Sequence, residues 1–189
     1  SSDLGRTLVS GGGEDSIHFT NFSGEEIRIV KANGRIRIVT SGDTKVDRLL
    51  FESGGKIEGE GIEEIYILKP GESIVFDGDF ENVIVQAKAK IEVTDDTTIG
   101  NLEVTDEASD SEIIINEKAT VKQMTINAPI KVSGQGKIEQ AEVRVDGVEF
   151  EKEPDKITRP AEGDKTTDRG GVGGSDRDDD DNVPSVADI

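Results

Sequence analysis

The chain has 189 residues and is 32% hydrophobic, with six Phe, one Tyr and no Trp, which excludes a large aromatic core. Its 22 Lys+Arg against 41 Asp+Glu give a formal net charge of -19. That charge repels phosphate backbones and anionic lipid, so nucleic acid and membrane surfaces are poor partners and direct membrane insertion is not expected, whereas calcium and cationic surfaces stay compatible.

With no Cys there is no disulfide framework and no thiolate metal site, and a single His, His18, removes most hydrolytic triads and His-rich zinc sites. The apolar runs reach about four residues, far below the roughly 20 needed to span a bilayer as a helix. Starting at Ser1 without a signal-like apolar stretch, the sequence reads as a processed product or a fragment.

In chain order, residues 1–16 read as a leader or cap, with Gly11 to Gly13 separating it from the first regular segment. A partial rung follows at Ile17/Phe19 and Ile27/Ile29. From there a six-residue pattern, apolar-x-x-apolar-x-apolar, recurs at Val46/Leu49/Phe51, Ile62/Ile65/Ile67, Phe80/Val83/Val85, Ile99/Leu102/Val104, Val121/Met124/Ile126 and Ile138/Ala141/Val143. Before each lies a shorter alternation, taken as Ile36/Ile38, Ile57/Gly59, Ile74/Phe76, Ile91/Val93, Ile113/Ile115 and Ile130/Val132.

Period-two alternation rich in Ile and Val predicts strand, and no stretch holds a useful helical apolar stripe. A repeat of about 17–22 residues is too short for a propeller blade of about 40–45 and lacks the leucine-rich consensus. The predicted fold is therefore all-β, a parallel β-helix over residues 17–153, and its variable rung length argues for the right-handed form. Six full rungs and one partial one predict a rod of roughly 30–35 Å. Outward positions are expected to be polar, as at Arg37, Glu63, Glu92, Glu103, Lys131 and Glu142. The third motif position is often an amide (Asn82, Asn101, Gln123, Gln140), which predicts stacked amides bonded along the axis.

Residues 154–189 read as a flexible acidic linker or tail, rich in Gly and Pro, with the domain boundary between Phe150 and Pro154. From residue 151 onward the net charge is -6, leaving -13 for the body. Val183 to Ile189 turns apolar again, as the start of a further domain would.

The stretch from Ala119 to Pro154, carried by Asn127–Val143 (NAPIKVSGQGKIEQAEV) and Asp146–Pro154 (DGVEFEKEP) and followed by a Gly-rich acidic linker, resembles β-helical segments of bacterial, chiefly Gram-positive, cell-surface proteins that carry S-layer-homology modules. The close match spans about 36 residues, and a looser pattern about residues 36–175. The resemblance implies an extracellular, non-catalytic module set between wall-anchoring and other surface domains.

Candidate chemistry is sparse. His18 lies in an alternating segment on the side opposite Ile17 and Phe19, so it reads as a solvent-facing strand residue rather than a base. Asp77/Asp79, Asp95/Asp96, Asp106/Glu107 and Asp110 fall between strands, where turn chemistry places Asp regardless of function; carboxylate catalysis or calcium is the alternative. Asp176, Asp178 and Asp180 alternate as calcium ligands do, but lack the central Gly and terminal Glu of an EF-hand loop, so they read as a solvated spacer with weak calcium binding as the alternative. The Gly11–Gly13 and Gly170–Gly174 runs are not phosphate cradles, because neither joins a strand to a helix.

The functional expectation is a non-enzymatic extracellular rigid spacer or adhesive module, with cell-wall or surface-layer components, including polysaccharide, as partners and no cofactor. Two other classes compete. One is a cytoskeletal polymer of the bactofilin kind, assembling end to end; the other is a polysaccharide-binding or polysaccharide-cleaving β-helix.

Overall fold

The computed structural model describes residues 5–10 and 16–159. Among them are fourteen strands and a single 3-10 turn, Asp106–Ala108, and every strand pairing is parallel. The chain coils into a β-solenoid of about eight turns with two stacked strand faces.

The first face is built from Arg6–Val9, residues 23–30 and 45–52, Ile62–Ile67, residues 79–85, Thr98–Val104, Thr120–Ile126, Lys137–Val143 and Lys156–Thr158. The second is built from Ile17–Thr20, residues 35–41, 54–59 and 72–78, Ala89–Val93, Glu112–Ile115, Lys131–Ser133 and Glu149–Phe150. Strand stacking thus includes Arg6–Val9 and Lys156–Thr158, in the segments read from sequence as leader and tail. Nine strands on one face give a rod of roughly 38 Å at about 4.8 Å per rung.

The reason these residues form this fold is column filling. On the first face Thr7, Ile27, Leu49, Ile65, Val83, Leu102, Met124, Ala141 and Ile157 lie in register, one above another. Successive members are 16 to 22 residues apart, so rung length varies while register does not. All eighteen inward residues of the six-residue motif are buried. Fully burying each large one contributes about 1.5–3 kcal/mol, and the parallel ladders satisfy the backbone from turn to turn.

On the second face the columns are Ile17, Ile38, Ile57, Phe76, Val93, Ile115 and, beside it, Ile36, Gly55, Ile74, Ile91, Ile113, Val132, Phe150. This corrects the sequence alignment at two rungs. Gly55/Ile57, not Ile57/Gly59, stacks on Ile36/Ile38, and Val132 rather than Ile130 stacks on Ile113. A slip of two residues keeps the same side inward, so alternation alone does not detect it.

The corners are polar but satisfied. The buried Ser111 hydroxyl donates to the Ala108 carbonyl at 2.7 Å and accepts the Ala89 N–H at 3.0 Å, tying adjacent turns. Thr44 does the same between the Phe19 and Ser41 carbonyls and the Phe22 N–H. Phe51 and Phe76 are the bulkiest fully buried side chains among the described residues, Phe76 meeting Phe80 edge-on at 5.3 Å. A narrow interior of this kind explains the aromatic poverty of the chain.

Candidate functional site

A solenoid presents its outward residues as ladders along the axis, so any site has to be read across rungs. On the first face the third motif position forms the ladder Arg6, Glu26, Arg48, Glu64, Asn82, Asn101, Gln123, Gln140, Lys156. It changes from alternating charge at the N-terminal end, where Arg48 meets Glu26 at 3.4 Å, to amides at the C-terminal end. The predicted amide stack is present in register. The predicted bonds between the amides are absent: among the described residues only Asn82 of the four uses its amide, donating to the Glu63 carbonyl at 3.2 Å, and the buried Asn101 Oδ1 has no partner.

Two positions further on, the ladder Arg28, Leu50, Tyr66, Ile84, Glu103, Thr125, Glu142 runs beside it. Leu50, Tyr66 and Ile84 are half-buried on the outer surface. The Tyr66 hydroxyl donates to Glu64 at 2.9 Å, and burial together with that carboxylate raises its pKa.

The second face carries a four-membered charge cluster. Arg37 donates to Glu58, and Lys56 reaches Glu58 at 2.8 Å and Asp77 at 2.6 Å. The Arg37 hydrogen bond outweighs burial and, with Lys56, holds the Glu58 carboxyl below the usual range. Burial works against the Lys56 ammonium, but the bonds to Asp77 and Glu58 prevail and raise its pKa. Further along, Lys90, Glu112, Lys131 and Glu149 alternate in sign on one outward ladder, with Lys90 3.5 Å from Glu112.

Among the described residues a groove of about 830 Å³ runs along the corner where each turn enters the first face. It crosses five rungs, roughly 19 Å at their stacking distance, and is lined by Asp47, Glu60, Glu63, Asp79 and Glu81 together with Lys45 and Lys122. Its walls are the opening residues of the strands themselves, so it is a shallow trough rather than a loop-walled cleft.

The carboxylates picked out from sequence are dispersed over several corners. Asp77 is engaged by Lys56, Asp95 Oδ1 accepts the Lys118 N–H at 3.0 Å, and Asp96 and Asp110 adopt left-handed backbone with φ of 63° and 60°. Asp106 and Glu107 open the 3-10 turn, and Asp110 lies 3.8 Å from Lys88. Asp95, Asp96, Asp110 and the pair Asp106/Glu107 thus hold turn positions, where short Asx side chains tolerate left-handed dihedrals. Asp77 and Asp79, expected between strands, lie instead inside the continuous strand Glu72–Val85, where the positive-φ Gly78 carries the chain from one face to the next without breaking the pairing. Among the described residues no group of three or more His, Asp or Glu is gathered to hold a metal ion. His18 is exposed on the outer side, its Nε2 2.7 Å from the Ser16 hydroxyl. Asp176, Asp178 and Asp180 and both Gly runs lie outside the described residues. The Tyr66 stripe and the corner hydroxyls of Thr44, Thr97 and Ser111 were not singled out from sequence; the first shows only once rung register places Leu50 and Ile84 on either side of Tyr66.

Among the described residues no helix is long and apolar enough to cross a membrane. No family model matches the chain, and no curated protein matches it. Its fold is similar to part of the crystal structure of chitinase ChiW from Paenibacillus sp. str. FPU-7, described as a bacterial cell-surface-expressed multi-modular enzyme machinery. The match has a TM-score of 0.67 at 23% identity and covers 77% of this chain and 14% of that one. The chain therefore spans about one seventh of that protein, and the likeness extends to the β-solenoid fold alone.

Proposed function

We propose that the chain is a rigid, non-enzymatic β-solenoid module of a bacterial cell-surface protein, of the type found beside S-layer-homology modules, holding neighbouring parts apart or presenting an adhesive face. The observation that carries this is the unbroken parallel ladder from Arg6 to Thr158, whose register holds from rung to rung although turn length varies. Each rung is hydrogen-bonded to the rungs on either side, so bending the rod breaks many backbone bonds at once. An acidic exterior keeps such a rod soluble. A multi-modular cell-surface protein with this fold, though a chitinase as a whole, supports the location.

The reading is tested on the source cell with a membrane-impermeant labelling reagent and fractionation. The protein is expected in the surface fraction and accessible to the label; recovery from the cytoplasm overturns the location. Incubating the purified chain with chitin and with anionic glycans, with and without calcium, should release no new reducing ends. Release of sugar would remove the non-enzymatic assignment.

A further inference from the structure

The outward side of the first face is uneven in a way that the core does not require. Over the rungs of Leu50, Tyr66 and Ile84 one ladder is apolar, and from the rung of Asn101 onward the neighbouring ladder is a row of amides with Gln123 and Gln140. In a chain of net charge -19, these two ladders carry only Arg48, Glu64, Glu103 and Glu142 as charges from the rung of Leu50 to that of Glu142, and Arg48 is paired with Glu26 at 3.4 Å. Glu64 accepts the Tyr66 hydroxyl, and Glu142 is bridged by Arg144 at 2.8 Å.

Size decides the kind of partner. Five rung spacings of about 4.8 Å and a width of about 10 Å give a strip of roughly 240 Å². That is far below the roughly 800 Å² per side of a stable protein interface, which excludes a second copy docking through this strip. An extended peptide is also a poor fit, because peptides add to sheets at open edges, and here the backbone groups already pair rung to rung.

Charge decides the rest. The field of the whole chain repels a polyanion, and a polycation is drawn to the acidic trough at the corner rather than to this strip. What matches amides, which both donate and accept, is a ligand whose groups do the same, and the apolar stripe asks for flat C–H faces beside an aromatic ring. Hydroxyl-rich sugars have both. The rung spacing, moreover, is close to the length of one β-linked pyranose unit, so successive sugars meet successive rungs.

We infer that this strip binds an uncharged polysaccharide chain lying along the solenoid axis, its sugar faces on Leu50, Tyr66 and Ile84 and its hydroxyl or acetamido groups on Gln123 and Gln140. The inference goes beyond the spacer reading and does not depend on it.

The test is co-sedimentation of the full chain with insoluble chitin, cellulose and curdlan at low and high salt. Retention on at least one of them is expected, insensitive to salt because no charge is matched. Tyr66→Ala is expected to weaken it about tenfold or more, equivalent to about 1.4 kcal/mol. Gln123→Glu, which only adds charge to a half-exposed amide, is expected to weaken it too, and it carries the test if Tyr66→Ala lowers the melting temperature. The inference is overturned by no retention on any of the three, by retention that salt abolishes, or by retention equal to wild type in Gln123→Glu. Cell-surface labelling is unaffected by any of these outcomes, so the two readings fail separately.

Discussion

Gly55 lies directly under Ile36, so close that a Cβ on Gly55 would sit 1.8 Å from the Ile36 carbonyl oxygen. The φ of Gly55 is 153°, a region that side-chain-bearing residues rarely adopt. Contact and conformation therefore both demand glycine. Gly55→Ala is expected to destabilise by more than about 3 kcal/mol, because the obstacle is backbone and cannot swing away. Gly71 is the control: its φ is 80° but nothing lies within 4 Å of its Cβ position, so Gly71→Ala should cost only about 1–2 kcal/mol. Guanidinium titrations of the two variants check this. Equal losses would mean that close packing at Gly55 adds nothing to its dihedral strain.

The same glycine marks where sequence reading stops working. Columns filled by Ile, Val, Leu and Phe were legible because each rung repeats the same inward spacing, and on the first face that spacing locates Val46 through Val143 without error. On the second face the column member at one rung is Gly55, which has no side chain to count, so apolar alternation points to the next apolar residue, Ile57, instead. Val132 stacks on Ile113 for a comparable reason: Gly134 follows where an inward residue belongs, its Cβ position 2.1 Å from the Ile115 carbonyl oxygen. Apolar periodicity records what fills a column and is blind to what leaves it empty. The outer stripe at Tyr66 was hidden differently. Leu50, Tyr66 and Ile84 lie 16 and 18 residues apart, so their adjacency exists only in the rung register.

Leu102 sits between Val83 and Met124 in the longest inward column and is fully buried. Leu102→Ala removes contacts to both neighbouring rungs, and the ladders above and below keep the gap from closing. A loss of about 2–5 kcal/mol is expected, seen as a lower denaturant midpoint with an unchanged slope. A slope that drops instead would show the rod melting in parts, as nearest-neighbour stacking allows.

The Ser111 hydroxyl is a tie that apolar pattern does not see, since it joins two turns 22 residues apart in sequence. Ser111→Ala leaves the Ala89 N–H buried without an acceptor, and the expected cost is about 1–3 kcal/mol. Amide exchange at Ala89 should accelerate in the variant more than at Ile91 in the next core position. Uniform acceleration along the chain would place the effect in global stability alone.

The Arg37–Glu58–Lys56 cluster gives stability a predictable pH dependence. Glu58 has a folded pKa below its unfolded value of about 4.3, so its contribution is complete above that value and is lost as pH falls through the folded one. Glu151, held down first by the Gly134 N–H and then by the Gln135 amide, acts in the same direction. Lys56 has a folded pKa raised above about 10.4, so its contribution persists through neutral pH and fades only in strong base. Stability should therefore be flat near neutrality and decline in acid below about pH 5. Glu58→Gln is expected to cost about 1 kcal/mol at neutral pH, the upper range for a surface pair, since it strips Arg37 and Lys56 of a shared partner. Because the variant has already lost that increment, its acid decline should be shallower, and the two melting curves should converge toward about pH 3. Parallel curves over the whole range would show that the cluster contributes no net stability.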